Sequence, residues 1–288
     1  LLDRISPAYL ISGPRDEIYD FDGWVVQSSD DFLDDVLNGE DVEVTWNEDP
    51  SAIAVQLFTS GTTGTPKAAI LRHEHLVSYI LGSVEFMGAG EDEAALVSVP
   101  PYHIAGISAA MSNIYACRQV VQLSNFEPDE WLRLCEAEKV TSAFVVPTML
   151  TRIIEELDDT DLDLSKLQSL RAIAYGGGKM PIPVIERALR LFPDTNFTNA
   201  YGLTETSSTI TLLDPDDHRA AIDHDDAAVH ARLGSVGKPL PSIELQIRDD
   251  EGKSLGSWEA GEIYVKGPQV SGEYDEKSVL DDDGWFPT

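Results

Sequence analysis

Basic residues are scarce in this sequence. Lysine and arginine number 20 against 51 aspartates and glutamates, a formal charge of −31 over 288 residues. A surface this negative repels nucleic acid and anionic membranes over most of its area, so any phosphate it binds must be gripped locally, against the overall field. The acidity reads either as a well-solvated surface that keeps the protein soluble or as adaptation to a high-salt cytoplasm. Under the second reading the melting temperature climbs as salt is raised from low to molar concentration, because screening relieves self-repulsion. A flat melting profile across that series counts against it.

Cysteine is nearly absent too. Cys117 and Cys135 are the only two, and without a secretory signal they read as reduced, structural thiols. No apolar run approaches the ~20 residues of a membrane span, and no basic-then-apolar leader opens the chain. A soluble, cytoplasmic protein is the expectation. The chain starts at Leu1 without a methionine, which reads as a segment of something longer.

What is present is a patterned globular chain long enough to bury one large core or two smaller ones. Short apolar runs at 52–58, 94–99, 119–123, 140–146 and 171–175 read as strands, and the stretches 75–87, 128–139, 148–157 and 183–192 as helices. Pro128 with Asp129 and Glu130 marks a helix start, since proline is tolerated in the first turn and acids there complement the dipole. Alternation of this kind predicts an α/β fold with crossover connections and a mostly parallel sheet. Residues 214–230 carry no clear period and read as an acidic surface loop. His218, His224 and His230 within it match no metal-ligand spacing. Beyond the loop, 243–247 and 262–265 alternate as short strands of a small β-rich lobe.

Leu57-Phe58-Thr59-Ser60-Gly61-Thr62-Thr63-Gly64-Thr65-Pro66-Lys67 organises the rest. Its glycines permit tight turns and close ligand approach, its successive N–H groups and hydroxyls can converge on an anion, and Lys67 adds charge. It is not a Walker loop, because Pro66 precedes Lys67 where that pattern requires glycine. A second constellation is Asn199-Ala200-Tyr201-Gly202-Leu203-Thr204-Glu205, which combines an aromatic face, a glycine turn, a hydroxyl and a carboxylate able to hold Mg²⁺. Tyr175-Gly176-Gly177-Gly178 ends a predicted strand with exposed backbone. Val99-Pro100-Pro101-Tyr102-His103 places a histidine after a proline-aromatic run. Two further stretches complete the set: Gly261 to Gly267 running on to Ser271-Gly272-Glu273-Tyr274, and Gly284-Trp285-Phe286-Pro287-Thr288.

In this order the segments resemble those of the adenylate-forming superfamily, most closely the bacterial fatty acyl-CoA synthetases. Ala68 after Lys67 and Arg72 before His73 are small departures from its pattern. The resemblance implies a fragment of that family's large N-terminal domain: a layered parallel-sheet sandwich with a small, barrel-like β-rich lobe. Residues 1–50 would be a remnant of an upstream subdomain with a connecting loop, 51–215 the nucleotide- and acyl-binding core, and 216–288 the acidic loop and β-rich lobe. By the same resemblance, Thr59, Ser60, Gly61, Thr62, Thr63 and Gly64 cradle ATP, with Gly176, Gly177, Gly178, Asn199, Ala200, Tyr201 and Gly202 about the adenine. Lys67, Thr204, Glu205 and His103 take the catalytic roles, with Mg²⁺ on Glu205 and Thr59.

The activity so implied is formation of an acyl-adenylate from a carboxylic acid and ATP, followed by thioester formation with coenzyme A as co-substrate. Residues 103–110 contain no acid to pair a substrate ammonium, and an unpaired buried ammonium is costly. The acid is therefore expected to be aliphatic or aryl rather than an amino acid, and by resemblance a medium- or long-chain fatty acid. A homodimer is compatible with the resemblance. Two alternatives stand beside this reading: an acyl-AMP ligase that loads a carrier protein, and a catalytically incomplete nucleotide-binding fragment. The isolated segment is expected to show little pyrophosphate exchange.

Overall fold

The computed structural model describes residues 10–12, 26–39, 47–59, 66–160, 162–274 and 277–288. The chain divides into Leu1–Glu48 and Asp49–Thr288. In the first unit, β1 (Leu10–Ser12) and β2 (Val26–Ser28) pair in parallel. They lead into the helix Ser29–Asn38, whose Ser28 cap accepts a hydrogen bond from the Asp31 N–H.

The second unit is built on three sheets. Its strands are β3 (Ile53–Thr59), β4 (Lys67–Arg72), β5 (Ala94–Val97), β6 (Gln119–Gln122), β7 (Ser142–Val145), β8 (Ala172–Gly176), β9 (Asn196–Leu203), β10 (Ser208–Leu213), β11 (Lys238–Pro239), β12 (Glu244–Arg248), β13 (Glu262–Lys266), β14 (Glu273–Tyr274), β15 (Lys277–Ser278) and β16 (Phe286–Pro287). A seven-stranded sheet has the order β11-β10-β9-β8-β7-β5-β6. Strands β9, β8, β7, β5 and β6 run parallel, while β10 and β11 are antiparallel additions.

Side chains alternate across this sheet, as the pleat requires. Leu96, Val145, Ile173, Tyr175 and Phe197 point into the main core with Trp131, Leu150, Ile153 and Ile185 from the flanking helices. These helices match the stretches read as helical: Pro128–Ala137, Pro147–Asp159 and Ile182–Leu191, each with a proline in its first turn. Each large apolar side chain so buried contributes roughly 1.5–3 kcal/mol. The opposite face presents Phe144, Ala174, Thr198 and Ala200 toward the helix Ile104–Tyr115. Coverage of both faces is what a parallel sheet needs.

Three expectations are corrected. The run at 52–58 is a strand, but it belongs to a separate antiparallel sheet ordered β15-β14-β4-β3. The residues after the phosphate loop form a strand before the helix begins at His73. Lys67–Arg72 is rich in good helix formers, yet Ala68, Ala69, Ile70 and Leu71 are all buried, and burial overrides propensity. The stretch 214–230 is not all loop, since Pro215–Ile222 and Ala227–His230 are helical. Asp214 caps the first of these, with Asp216 and Asp217 in its first turn, the same signals that marked the helix at Pro128.

The three histidines of that stretch are engaged separately. His218 meets Tyr175, His224 accepts from the Asp226 N–H, and His230 meets Glu186. The β-rich lobe is the antiparallel sheet β12-β13-β16. There the Arg248 guanidinium stacks on Tyr264 and Trp285 while pairing with Asp281. Among the described residues no helix is long and apolar enough to cross a membrane.

Candidate active site

The carboxyl ends of β8 and β9 open onto a cavity of about 350 Å³. Ligands in open α/β sheets sit outside the carboxyl ends of strands. Gly176, Gly177 and Gly178 form one wall, and Asn199, Ala200, Tyr201 and Gly202 form another. Two of these glycines are required by the backbone geometry. A Cβ on Gly176 would lie 2.1 Å from the Ala200 carbonyl oxygen, and Gly177 has φ +76°, a left-handed conformation that disfavours side chains. None of the three lines the second cavity described below.

This wall is anchored from beneath. Tyr175 is fully buried and its hydroxyl lies 2.8 Å from His218 Nε2, while His218 Nδ1 lies 2.7 Å from the Asp214 carbonyl oxygen. A carbonyl only accepts, so Nδ1 carries the proton and the tyrosine hydroxyl donates to Nε2. Burial lowers the His218 pKa, which keeps the ring neutral. On the other wall the Asn199 amide donates to the Ser235 carbonyl at 2.8 Å, and the Tyr201 hydroxyl donates to Thr288 Oγ1 at 3.0 Å.

Beyond Gly202 the chain makes a tight 3₁₀ turn, Thr204–Thr206, and reverses into β10. Ser207 and Ser208 take φ values of +53° and +103°, strained backbone of the kind stored at functional sites. The turn presents Glu205, which is 5% exposed. One of its carboxylate oxygens accepts a hydrogen bond from the Tyr274 hydroxyl. Its backbone carbonyl accepts from the N–H groups of Ser271 and Gly272.

Tyr274 joins two distant motifs. Its ring lies 5.3 Å from Lys67 Nζ in cation–π contact, while its hydroxyl holds Glu205. Burial first, then the bond to Glu205, pushes its phenol up, so the proton stays on the tyrosine. Strand β14 reaches this position by pairing with β4 at Tyr274 and Ala69. The bidentate pair of Arg72 with Glu273, at 2.9 and 2.7 Å, locks it there. Arg72, a departure in the sequence, therefore positions the neighbour of Tyr274.

Thr59 stands opposite Lys67 where β3 and β4 meet their connecting loop, and β4 packs against the Thr204–Thr206 turn. Ser60, Gly61, Thr62, Thr63 and Gly64 lie outside the described residues. Among the described residues no cluster of three acid, histidine or cysteine side chains could hold a metal by itself. Glu205 nevertheless suits Mg²⁺, which is bound by one or two carboxylates together with substrate phosphates.

His103 lines neither this cavity nor the second one described below. It is exposed at the N-terminus of the helix Ile104–Tyr115, with its ring 4.8 Å from that of Tyr102. Sequence reasoning missed three others. Tyr274 had only the Gly-Glu-Tyr string to mark it, and nothing in the sequence pointed to Lys179 and Val236 at the edge of the first cavity.

A second cavity of about 410 Å³ lies between the sheet and the helix Ile104–Tyr115. It meets the first at Ala200, which lines both. Small residues on the two facing surfaces, Ala105, Ser108 and Ala109 against Ala174 and Ala200, leave this space unfilled.

Comparison with known proteins bears on this geometry. The family profile described as AMP-binding enzyme matches residues 13–275. A 2-succinylbenzoate–CoA ligase of Bacillus cytotoxicus is 32% identical over 262 residues, covering 89% of this chain and 51% of the ligase. The o-succinylbenzoate CoA synthetase of Bacillus subtilis in complex with its acyl-adenylate intermediate superposes with a TM-score of 0.80 at 27% identity, over 100% of this chain and 56% of that one. The same enzyme with ATP and magnesium ion gives 0.79 at 28%, over 100% and 57%. The chain spans about half the length of the curated relatives it matches. With the match running unbroken through the phosphate loop, the glycine triplet and the Tyr201–Glu205 turn, the chain belongs to the AMP-binding enzyme family.

Proposed function

We propose that this chain carries the nucleotide- and acid-binding part of an ATP-dependent acid–CoA ligase acting on an aryl carboxylic acid. One observation carries the reading. Lys67, Tyr274 and Glu205 form a continuous chain of contacts that ties the phosphate-loop hairpin to the end of β9, beside a cavity floored by glycine backbone. The relatives named above are ligases for an aromatic acid, so the fatty-acid expectation gives way to an aryl acid. ATP, Mg²⁺ and coenzyme A come to this chain on the same grounds.

In the first half-reaction a carboxylate oxygen bonds to the α-phosphorus of ATP as the bond to the β-phosphate oxygen breaks, and pyrophosphate departs with the electron pair. No proton moves, so the protein needs no general base; its task is to position the acid and offset charge. Lys67 would face the triphosphate, Thr204 the α-phosphate, and Tyr201 with Gly176–178 the adenine. Glu205, with Thr59 opposite Lys67, would hold Mg²⁺, which when bound neutralises phosphate charge. Coenzyme A sulfur then bonds to the acyl carbon, AMP leaves, and the thiol proton is released to water. His103 serves only in shaping the approach of the acid. In this scheme residues 51–215 carry nucleotide and acid, and 216–288 brace them through Tyr274.

Calorimetric titration with ATP and Mg²⁺ tests the reading. Micromolar to submillimolar binding of ATP is expected, with AMP also bound and GTP at least ~10-fold weaker, because the glycine wall is shaped to one purine edge. Absence of any adenine-nucleotide binding sinks the proposal.

A further inference from the structure

The second cavity determines what kind of acid fits, and its lining carries no charge. The sheet contributes Phe144, Ala174, Thr198 and Ala200, and the helix Ile104–Tyr115 contributes Ala105, Ser108, Ala109 and Ser112. Among the described residues no lysine, arginine or histidine lines it. Its polar groups are hydroxyls, and two of them are already committed within the protein: Ser83 donates to the Tyr79 carbonyl, and Ser108 lies 3.2 Å from the Ala105 carbonyl and 3.1 Å from Ser208 Oγ.

The space continues inward. A smaller cavity of about 170 Å³ shares Ala109, Phe144 and Ala174 with it and extends to Val97 and Val99. At its wall, Asn113 donates to the Ala109 carbonyl and accepts from Arg118. That arginine is itself paired with Glu93 at 2.8 Å. The cation that comes near is therefore spoken for.

2-Succinylbenzoate, the acid in the relatives' names, has two carboxylates. Activation at one leaves the other to be housed with the acyl group. A carboxylate moved from water into a site with no cation loses solvation that hydroxyls alone do not restore, and a protein of charge −31 adds repulsion. From this lining we infer that the acid is an aryl monocarboxylate with an uncharged body, extending from Ala200 under the helix and past Ala109, and that the dicarboxylate is excluded. This inference rests on the proposed function, since it places the nucleotide in the first cavity.

Equilibrium binding of non-hydrolysable acyl-sulfamoyl adenosines to the chain tests it without requiring turnover. Four probes differ only in the acyl group: benzoyl, 4-phenylbenzoyl, 2-succinylbenzoyl with its free carboxylate, and the methyl ester of the last. The neutral ester is expected to bind about 100-fold more tightly than the free acid, two steps of tenfold per 1.4 kcal/mol, and 4-phenylbenzoyl more tightly than benzoyl. Ala109→Phe, at the junction of the two cavities, should cost the 4-phenylbenzoyl probe at least ~10-fold relative to benzoyl; Ala109→Val serves if the larger substitution fails to fold. Equal or tighter binding of the free acid than of its ester overturns the inference, as does equal weakening of both aryl probes by the Ala109 variant. AMP binding with no gain from any aryl group overturns the inference alone, whereas failure to bind AMP removes the proposed function beneath it.

Discussion

Gly202→Ala is expected to unfold the wall of the cavity at the ends of β8 and β9. A Cβ there would lie 1.8 Å from the Ser208 carbonyl oxygen, 2.6 Å from its carbon and 2.9 Å from Thr209 Cα. All three are backbone atoms, and Gly202 pairs with Thr209 across the β9–β10 ladder. Relief therefore requires the two strands to part where Glu205 is presented. Overpacking of this severity costs about 3 kcal/mol or more, or roughly 6–12 °C in melting temperature for a domain of this size. Loss of adenine-nucleotide binding should accompany it.

Gly252→Ala is the matched control. Gly252, unlike Gly202, has a left-handed φ, +79°, but nothing lies within 4 Å of its Cβ position, so only the conformational penalty of about 1 kcal/mol remains. Thermal melts of the two variants decide the matter. Equal shifts would show that the clash at Gly202 is relieved elsewhere and that the β9–β10 turn is softer than its geometry implies.

Glu205→Gln separates charge from shape. Glutamine keeps an acceptor for the Tyr274 hydroxyl and nearly the same volume, so melting temperature should move by less than about 2 °C. The lost charge removes the carboxylate that suits Mg²⁺. ATP affinity measured with Mg²⁺ should fall at least ~10-fold, and affinity for AMP without metal should stay within about threefold. In a turnover assay of the adenylation step the variant should lose about 10²–10³-fold. If ATP binds the variant with unchanged dependence on Mg²⁺, Glu205 is not the metal's ligand, and the buried carboxylate serves only to brace Tyr274. Tyr274→Phe gives the converse: it strips the hydrogen bond from Glu205 while leaving a ring beneath Lys67.

Much of this was legible in the chain before any coordinates. Helices at Pro128, Pro147 and Ile182 each open on a proline in the first turn, joined by acids only at Pro128, and the alternating apolar runs foretold the parallel sheet. These are local effects, settled by residues within one turn or one strand of each other. The strand Lys67–Arg72 was not legible, because its residues favour a helix when taken alone and only burial between β3 and β14 holds them extended. The helix Pro215–Ile222 was legible but passed over, since acidic composition masked an ordinary cap at Asp214.

The sequence by itself determined the family pattern, the order of its motifs and the chemistry each can offer. Tertiary structure alone decided their company: that Tyr274 stands between Lys67 and Glu205, and that small side chains from a helix and a sheet leave a cavity lined by uncharged residues beside the glycine wall. The reason is one of range. Propensity and periodicity act over a few residues, whereas a contact between chain-distant groups exists only once strand pairing and a half-buried ion pair have brought their backbones together.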